Sequence, residues 1–573
     1  MASSSTATAA HDIDTLRQLE RKISQAFDEG HDADIPSSEG YILDDRGQRK
    51  RARSIAEVRR KSEAHSMDGE AADRDVEKAP GAHGGGMPLS NDDIDGNDDL
   101  NVISMGPTDP EHPYQWPRWR TFMNAFLISA MSFLTPLASS IFAPGVPQLL
   151  REFQNPSLEI AAFVVSVYIL GFAFGPLIMA PASEMYGRLV VYHISNVSFL
   201  AFVIACALAP NMNTLIVFRF LSGVFGSTAI TNGGGSIADL FPQERRAVAM
   251  AGFAVGPLLG PIIGPVTGGF LADAEGWRWN FWVLAIATGF LSIVMLFILK
   301  ESYVPVLLER KVRRLRKETG NNLLRSNLDI GLSTSDYFKR GLVRPVKMLL
   351  LSPIIMLTSL FMAVTYGYLY VMFTSMTEVF QQYYGFSTSL VGLSFLGLGI
   401  GSLVGIFVFS STSDRYMKRK SAEDDARAGA SGTEKEGGMK PEYRLPFLLL
   451  GAVLLPIGLF TYGWTAEKHV HWIVPIFGTG IVGVANIVIF MALQMYLVDA
   501  FTVYAASALA ANTLVRSIAG AVLPLAGLPM YEKLGIGWGN SILAFIALGF
   551  APVAWLIIRY GEVIRKSYPM KNL

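Results

Sequence analysis

The chain has 573 residues, of which 51% are hydrophobic and 17% are charged. Soluble globular domains carry about 25% charged residues, so this composition disfavours an ordinary soluble protein. Residues 1–116 hold 13 Lys and Arg against 24 Asp and Glu, and residues 117–573 hold 35 against 24, so the net charge of zero hides an acidic tail and a basic body. The single cysteine, Cys206, excludes a disulfide framework and a thiolate metal cluster.

Residues 1–116 are rich in Asp, Gly, Ser and Ala and contain few aromatic residues. Such a segment buries too little apolar surface to offset chain entropy, so we predict a disordered acidic tail. Its start has no apolar core, so we expect no secretory signal peptide there. One stretch with apolar residues near one helical face leaves two readings open, a short docking helix or a fluctuating helix without a partner. Those residues are Ile13, Leu16, Leu19, Ile23 and Phe27.

After Trp116, apolar segments of about 20 residues recur to the end of the chain, each long enough to cross a hydrocarbon core of about 30 Å as a helix. Helices satisfy their own backbone hydrogen bonds in lipid, and a membrane barrel would instead alternate over about ten residues. We therefore predict an all-α membrane protein with twelve transmembrane helices in two pseudo-symmetric bundles of six. The expected spans are 122–144, 160–182, 189–209, 214–236, 247–270, 279–299, 352–374, 388–411, 445–464, 472–495, 505–527 and 538–559.

Between the bundles, 117–299 and 351–573, lies a basic linker at 300–350 in which apolar and basic residues alternate at helical spacing. We expect an amphipathic helix there, either on the inner leaflet or packed under the bundle. A second polar loop at about 415–440 is rich in Gly, Ala and charge and predicts a flexible segment.

Basic residues in the loops predict the orientation. With twelve spans, one side carries only Arg151, Arg278, Lys468 and Lys533, and the other side carries all the remaining loop Lys and Arg. We therefore expect both termini in the cytosol and a multi-pass protein of the plasma membrane, although the vacuolar membrane stays open.

Each predicted half repeats the same charge pattern in its short second loop and at the end of its fourth span. In the second loop an acidic residue precedes a basic one, and the fourth span ends at an aspartate. The residues are Glu184, Arg188 and Asp239 in the first half and Asp414, Arg415 and Asp499 in the second. Such an internal repeat is typical of transporters built from two related units, and plain anchoring of loops at the interface is the alternative.

Two arginines fall inside predicted spans. An intramembrane Arg costs about 2.5–3.5 kcal/mol on insertion scales, so it usually faces a partner or water. Arg219 is near the outer end of its span and could instead snorkel to the headgroups. Arg516 is near the middle of its span, where snorkelling is harder, and we expect it to face the bundle interior.

The fifth span contains glycines at four-residue spacing, which allow close helix packing, and three Gly-Pro pairs, which favour bending. Its residues are Gly256, Pro257, Gly260, Pro261, Gly264, Pro265, Gly268 and Gly269. This segment resembles the antiporter motif of the major facilitator superfamily. The loop ending at Arg188 and the run from Arg219 to Gly223 resemble two further motifs of that superfamily, although Glu184 stands where the pattern usually has Asp.

Other stretches are similar to the fungal twelve-spanner drug:proton antiporters, for example Asp239–Arg246, Trp277–Trp282 and Pro441–Pro446. The resemblance implies alternating access, with the charged residues of the two short loops and the aspartates that end the fourth spans latching the cytosolic end. We expect coupling roles for Arg219, which lies in a resembling motif, and for Arg516, because of its position inside a span. The resemblance also implies a cavity lined by the first, fourth, seventh and tenth spans. The candidates there are Asn124, Asn232, Tyr366, Tyr370, Phe373, Asn486, Phe490 and Gln494.

Aromatic faces with a few amides suit bulky amphipathic molecules, planar cations included. We therefore expect a monomeric exporter of drugs, toxins or secondary metabolites with the proton as coupling ion, no other cofactor, no metal, and the lipid bilayer and a small-molecule substrate as partners. No nucleic-acid binding and no enzyme activity are expected, because no dinucleotide loop, nucleophile triad or metal set appears. A non-transporting receptor on the same scaffold, an importer and a polyamine exporter stay open.

Overall fold

The computed structural model describes residues 41–43, 49–51, 101–106, 108–154, 157–328, 334–431, 440–501 and 504–568. The chain divides into two units, Met1–Gly84 and Gly85–Leu573. In the first unit the described part is an antiparallel strand pair, β1 (Tyr41–Leu43) and β2 (Arg49–Arg51). The rest of that unit, with the stretch from Ile13 to Phe27, lies outside the described residues.

The second unit is helical. Its amino-terminal half contains α1 (Arg118–Ser140), α2 (Val146–Glu152), α3 (Leu158–Tyr186), α4 (Arg188–Ala207), α5 (Met212–Leu240), α6 (Gln243–Glu275) and α7 (Arg278–Ile298). A linker follows with α8 (Val304–Thr319) and α9 (Thr334–Leu351). The carboxy-terminal half contains α10 (Pro353–Tyr384), α11 (Thr388–Ser394), α12 (Leu396–Ser431), α13 (Pro446–Glu467), α14 (Ile473–Ala500) and α15 (Ala505–Ser567).

Eleven helical segments of the described chain are long and apolar enough to cross a membrane. The last of them, α15, has 63 residues and contains a non-helical residue, Gly535, at φ 77° and ψ 166°. Glycine tolerates a positive φ because it has no Cβ. The Tyr531 hydroxyl donates to Asn540 at 3.1 Å across this point, so the chain folds back at Gly535 and α15 supplies two crossing segments. The predicted all-α membrane fold is confirmed.

We call the end of the bundle at which α1 begins and α15 ends the proximal end, and the opposite end the distal end. The two halves touch from mid-height to the distal end. The Ser139 and Tyr370 hydroxyls are 3.3 Å apart, and the Thr377 hydroxyl donates to the carbonyl oxygen of Ala143 at 3.3 Å. The distal end of the central crevice is therefore closed.

Residues 101–106 and 108–116 differ from the disordered tail that we expected, because they fold onto the linker. β3 (Val102–Ile103) pairs in parallel with β4 (Arg325–Ser326). Ion pairs join Asp109 to Lys311 and Glu111 to Arg314. Asp109 and Glu111, two of the 24 acidic residues in the tail, therefore neutralise part of the charge of the basic linker.

We call residues 101–106 and 108–116 the strap. The strap covers the apolar face of α8. Leu308 and Val312 are fully buried, together with Leu324, and the strap residues Ile103 and Met105 pack against them. The amphipathic helix predicted from the sequence is present, and its apolar face contacts protein. The residues that cover this face are Leu324, Ile103 and Met105, and the choice between the inner leaflet and packing under the bundle stays a prediction.

The segment predicted as a flexible loop at about 415–440 also differs. α12 continues as a helix to Ser431, well past its apolar part, and residues 432–439 lie outside the described residues. Ion pairs at helical spacing, such as Arg419 with Glu423, accompany this extension. The charged composition that suggested disorder also suits a solvated helix face.

Candidate functional site

Arg219 on α5 is buried, with 1% of its surface exposed. Its guanidinium donates to the carbonyl oxygens of Val164 at 2.9 Å and Ala138 at 3.1 Å, and to those of Ser139 and Val165 at 3.2 Å. Ala138 and Ser139 belong to the last turn of α1, where carbonyls lack intrahelical partners and the helix dipole favours a cation. Arg219 therefore ties α1 to α3 and does not snorkel to the headgroups.

Arg516 on α15 has a different environment. It is partly exposed, and its guanidinium carbon is 5.0 Å from the ring centre of Tyr366 and 5.1 Å from that of Phe490. These rings belong to α10 and α14, so the side chain faces the interior of the carboxy-terminal half. Its Nε is buried without a hydrogen-bond partner among the described residues.

The aromatic residues of α10 form a continuous column. The Tyr366 and Tyr370 rings are 5.2 Å apart, Tyr370 and Phe373 5.5 Å, and Phe373 stacks on Phe395 at 5.7 Å. Tyr370 and Phe373 are buried on the distal side, whereas Tyr366 keeps partial exposure. The buried rings of the column thus contribute to the distal closure, and the partly exposed Tyr366 forms the proximal end of the column.

The predicted amides divide into two groups. Asn124 is buried and donates to the carbonyl oxygen of Arg120, while its own oxygen accepts the Lys300 N–H. Asn232 is buried and donates to the carbonyl oxygen of Met179. The Nδ2 groups of Asn124 and Asn232 thus bond to backbone of the amino-terminal half, and the Asn124 oxygen bonds to the first residue of the linker.

In the carboxy-terminal half, Asn486 donates to the carbonyl oxygen of Thr365 and is nearly buried. Gln494, one helical turn beyond Phe490, is partly exposed, and its Oε1 has no partner among the described residues. The predicted cavity residues that remain accessible therefore gather on α10 and α14, around Arg516.

The Gly-Pro segment of α6 packs in two directions. A Cβ at Gly264 or Gly268 would lie 2.3 Å from the Ser140 Oγ or 1.7 Å from the Ile141 carbonyl oxygen, so these glycines admit the end of α1. At Gly269 it would lie 2.7 Å from the carbonyl oxygen of Thr388, in the other half. Gly256 and Gly260 likewise face α1. Pro257, Pro261 and Pro265 lie within this helix. The segment therefore packs within its half and forms part of the distal closure.

At the proximal end of the amino-terminal half, Arg188 forms an ion pair with Asp239 at 3.2 Å and donates to the Ser183 hydroxyl at 2.6 Å. Glu301, which the sequence reading missed, accepts the backbone N–H groups of Arg188 and Leu189 at 3.0 and 3.2 Å. Its position directly after the sixth span was the available signal.

The carboxy-terminal half repeats this arrangement with a different arginine from the one predicted. Arg444 pairs with Asp499 at 2.6 Å and with Asp414 at 3.5 Å, whereas Arg415 is exposed. Arg188 is the first residue of α4, and Arg444 lies two residues before α13. Each pairs with an aspartate in the last turn of the next helix, Asp239 on α5 and Asp499 on α14. The spacing, 51 residues to Asp239 and 55 to Asp499, could have identified Arg444.

These proximal ion pairs join residues of the same half. In the described chain, the ion pairs of Arg188 and Arg444 therefore do not form the predicted latch between the two halves. Glu184 is exposed. The described contacts of Ser139 and Thr377 thus join the halves toward the distal end, whereas the proximal ion pairs of Arg188 and Arg444 do not join them.

Comparison with known proteins agrees with this architecture. A family model described as Major Facilitator Superfamily matches residues 128–524. The MFS-type transporter tndD of Aspergillus flavipes is 54% identical over 81% of this chain and 85% of its own length. The efflux pump radE of Floropilus chiversii is 49% identical over 82% of this chain and 86% of its own. The crystal structure of a D-xylose-proton symporter, 16% identical, superposes with a TM-score of 0.57 over 76% of this chain and 97% of its own and shows the shared fold.

Proposed function

Because the chain belongs to the major facilitator superfamily and is a membrane transporter, not an enzyme, we propose that it exports small amphipathic organic molecules by proton antiport and alternating access. The substrates in this proposal are antifungal drugs, toxins or the cell's own secondary metabolites. The arrangement of the two halves carries it: they touch distally, the proximal ion pairs stay within each half, and a cationic and aromatic site lies among the helices of the carboxy-terminal half.

The direction of transport in this proposal rests on two supports. One relative, 49% identical, is named an efflux pump. The excess of Lys and Arg in the proximal loops favours a cytosolic proximal end, so that in this proposal the substrate loads from inside the cell. The plasma membrane, cytosolic termini and a monomeric state are parts of the same proposal.

The coupling step uses the proximal pair of Arg188 and Asp239. Protonation of Asp239 would release Arg188 from its partner at 3.2 Å and so bias the two states. Shifting a population from 1:99 to 99:1 needs about 5.5 kcal/mol. One charge crossing about 100 mV supplies about 2.3 kcal/mol, so one or two protons together with a pH gradient are of the right size.

The test begins with a screen of knockout cells against drugs and toxins, followed by transport of the strongest hit into inside-out vesicles. We expect accumulation that needs an acidic lumen and collapses with a protonophore. Binding without flux would favour the receptor alternative. Uptake into right-side-out vesicles under an inward proton gradient would favour an importer.

A further inference from the structure

Within the part of the chain that the structure describes, the contacts of the intramembrane Arg516 guanidinium are with aromatic rings. Arg219 places its guanidinium on four carbonyl oxygens. Arg516 contacts the faces of Tyr366 and Phe490 and, among the described residues, has neither a hydrogen bond nor an ion pair. A guanidinium in a low-dielectric site is costly without an anionic or hydrogen-bonding partner. This site therefore lacks an anion that matches it.

The surrounding helices supply no such anion. Within the described membrane-spanning helices, carboxylates lie toward the helix ends, as Asp239 and Asp499 do at the proximal end. Glu378 on α10 lies six residues from the distal end and bonds to Gln382 at 2.7 Å. Among the described residues, the positive charge of the partly exposed Arg516 thus has no carboxylate partner near the middle of its span.

Neighbouring polar atoms also lack partners. Asn512, one helical turn before Arg516, is fully buried, and neither atom of its amide is hydrogen-bonded within the described residues. The Oε1 of Gln494 is likewise buried and unpartnered. Leaving a buried polar group unpaired costs its desolvation penalty, so the partly exposed Gln494 marks a position where a ligand's polar atom would be favourable.

We propose that the transported molecule is an amphipathic organic acid. Its carboxylate, or an equally acidic enol or phenol, pairs with the Arg516 guanidinium, whose planar fork suits two oxygens at once. Its apolar body lies against Tyr366 and Phe490. This inference rests on the proposed export function and narrows the substrate class. It replaces the planar cations expected from aromatic residues alone, because Arg516 repels them.

Two dyes with the same xanthene ring system and opposite charge test the proposal on the purified full-length chain: anionic fluorescein and cationic rhodamine 123. Affinity is measured by fluorescence anisotropy at pH 8. We expect fluorescein to bind at least tenfold more tightly than rhodamine 123. Arg516→Gln should weaken fluorescein binding at least tenfold. Arg516→Lys should have a fluorescein affinity between those of the native chain and Arg516→Gln.

Arg559→Gln is the matched control, since Arg559 is an exposed arginine on the same helix, and it should leave both affinities unchanged. Equal thermal stability of the Arg516 variants and the native chain excludes misfolding, and Arg516→Lys retains the charge if the Gln variant fails to fold. Failure of the native chain to bind fluorescein, tighter binding of rhodamine 123, or undiminished binding by Arg516→Gln would each overturn the proposal.

Transport separates this inference from the proposed function. If the native chain and Arg516→Gln transport rhodamine 123 equally fast in proteoliposomes, the export function is supported and the organic-acid proposal is overturned. Charge-selective binding without flux of either dye would retain the acid site and overturn the export function.

Discussion

At the scale of single residues, two intramembrane arginines separate into different roles. Arg219 is enclosed by carbonyl oxygens and by the rings of Phe142, Tyr168 and Phe281. Arg516 is partly exposed and contacts two rings. Sequence position distinguishes their depth in the membrane but not their partners, because these come from helices distant in the chain.

The first prediction contrasts their alanine variants. Arg219→Ala orphans the carbonyls of Ala138 and Ser139, at about 1–3 kcal/mol each, so it should lower the thermal stability and the yield of folded protein. Arg516→Ala should leave stability and membrane insertion intact and abolish export. Thermal unfolding followed by size exclusion, together with vesicle flux, measures both. A stable Arg219→Ala, or normal efflux by Arg516→Ala, would contradict the respective role.

His112 gives the strap a pH dependence. Its Nδ1 accepts the Tyr114 N–H at 3.1 Å, and burial lowers the pKa of His112, although Asp109 partly opposes this. Because the docked strap favours neutral His112, docking is at full strength above the ordinary pKa of about 6.5 and weakens as the pH falls below it. The Lys311 hydrogen bond lowers the pKa of Asp109, so Asp109 stays ionised throughout this range.

A spin label on Ser104→Cys, in a Cys206→Ala background, reports this docking, since Ser104 is exposed and Cys206 is the one native cysteine. We expect label mobility to rise as the pH falls from about 7.5 to about 5.5. His112→Asn keeps an acceptor at that position without a titratable ring and should remove the response. The same response in both proteins would exclude His112 as its origin.

At the scale of elements, α6 forms part of the distal closure. Its glycines admit α1 on one side, and Gly269 meets Thr388 and Gly392 of the other half. A side chain at Gly269 therefore obstructs contact between the halves. Its neighbour Gly268, in contrast, serves packing within the half.

The prediction for this element is that Gly269→Leu shifts the protein toward a distally open state, because its Cβ would lie 2.7 Å from the Thr388 oxygen. Spin labels at Glu159 and Lys533, exposed and in different halves, measure the opening by electron–electron distance. Gly252→Leu is the control, as a Cβ there meets nothing within 4 Å. An unchanged distance in Gly269→Leu would show that this contact does not hold the distal end closed.

At the scale of the whole molecule, the strap connects the acidic tail to the linker between the halves. Its ion pairs and strand pairing fix α8, and the Tyr114 hydroxyl accepts from Arg246 near the start of α6 at 3.4 Å. The acidic tail therefore has two parts. The first consists of the residues before 101, and the second is the strap, which packs against the linker.

Two deletions separate these parts. Removing residues 1–100 should spare folding and transport, since the strap remains. Removing residues 1–116 uncovers Leu308 and Val312 and should make α8 sensitive to trypsin at its exposed basic residues. Limited proteolysis and vesicle flux check both proteins. A dead first truncation would show that the tail is needed for transport, and a trypsin-resistant second one would show that α8 does not need its cover.

The sequence by itself determined the helical membrane fold, its two related halves and its family. These follow from span length, hydrophobicity and local motifs, which are properties of contiguous residues. It also indicated Asp239 and Asp499, since both end equivalent helices. Polar residues were harder to interpret, because an amide such as Asn124 can face a cavity or satisfy a backbone group, and only its neighbours distinguish the two.

The tertiary structure alone decided which charges meet. It replaced Arg415 by Arg444, added Glu301, turned Asn124 and Asn232 toward backbone partners, and gave Arg219 four carbonyls while leaving Arg516 without an anion. It also folded the strap onto α8. The physical reason is common to all of these: a buried polar or charged group is stabilised by partners brought close by packing, often more than 50 residues away along the chain.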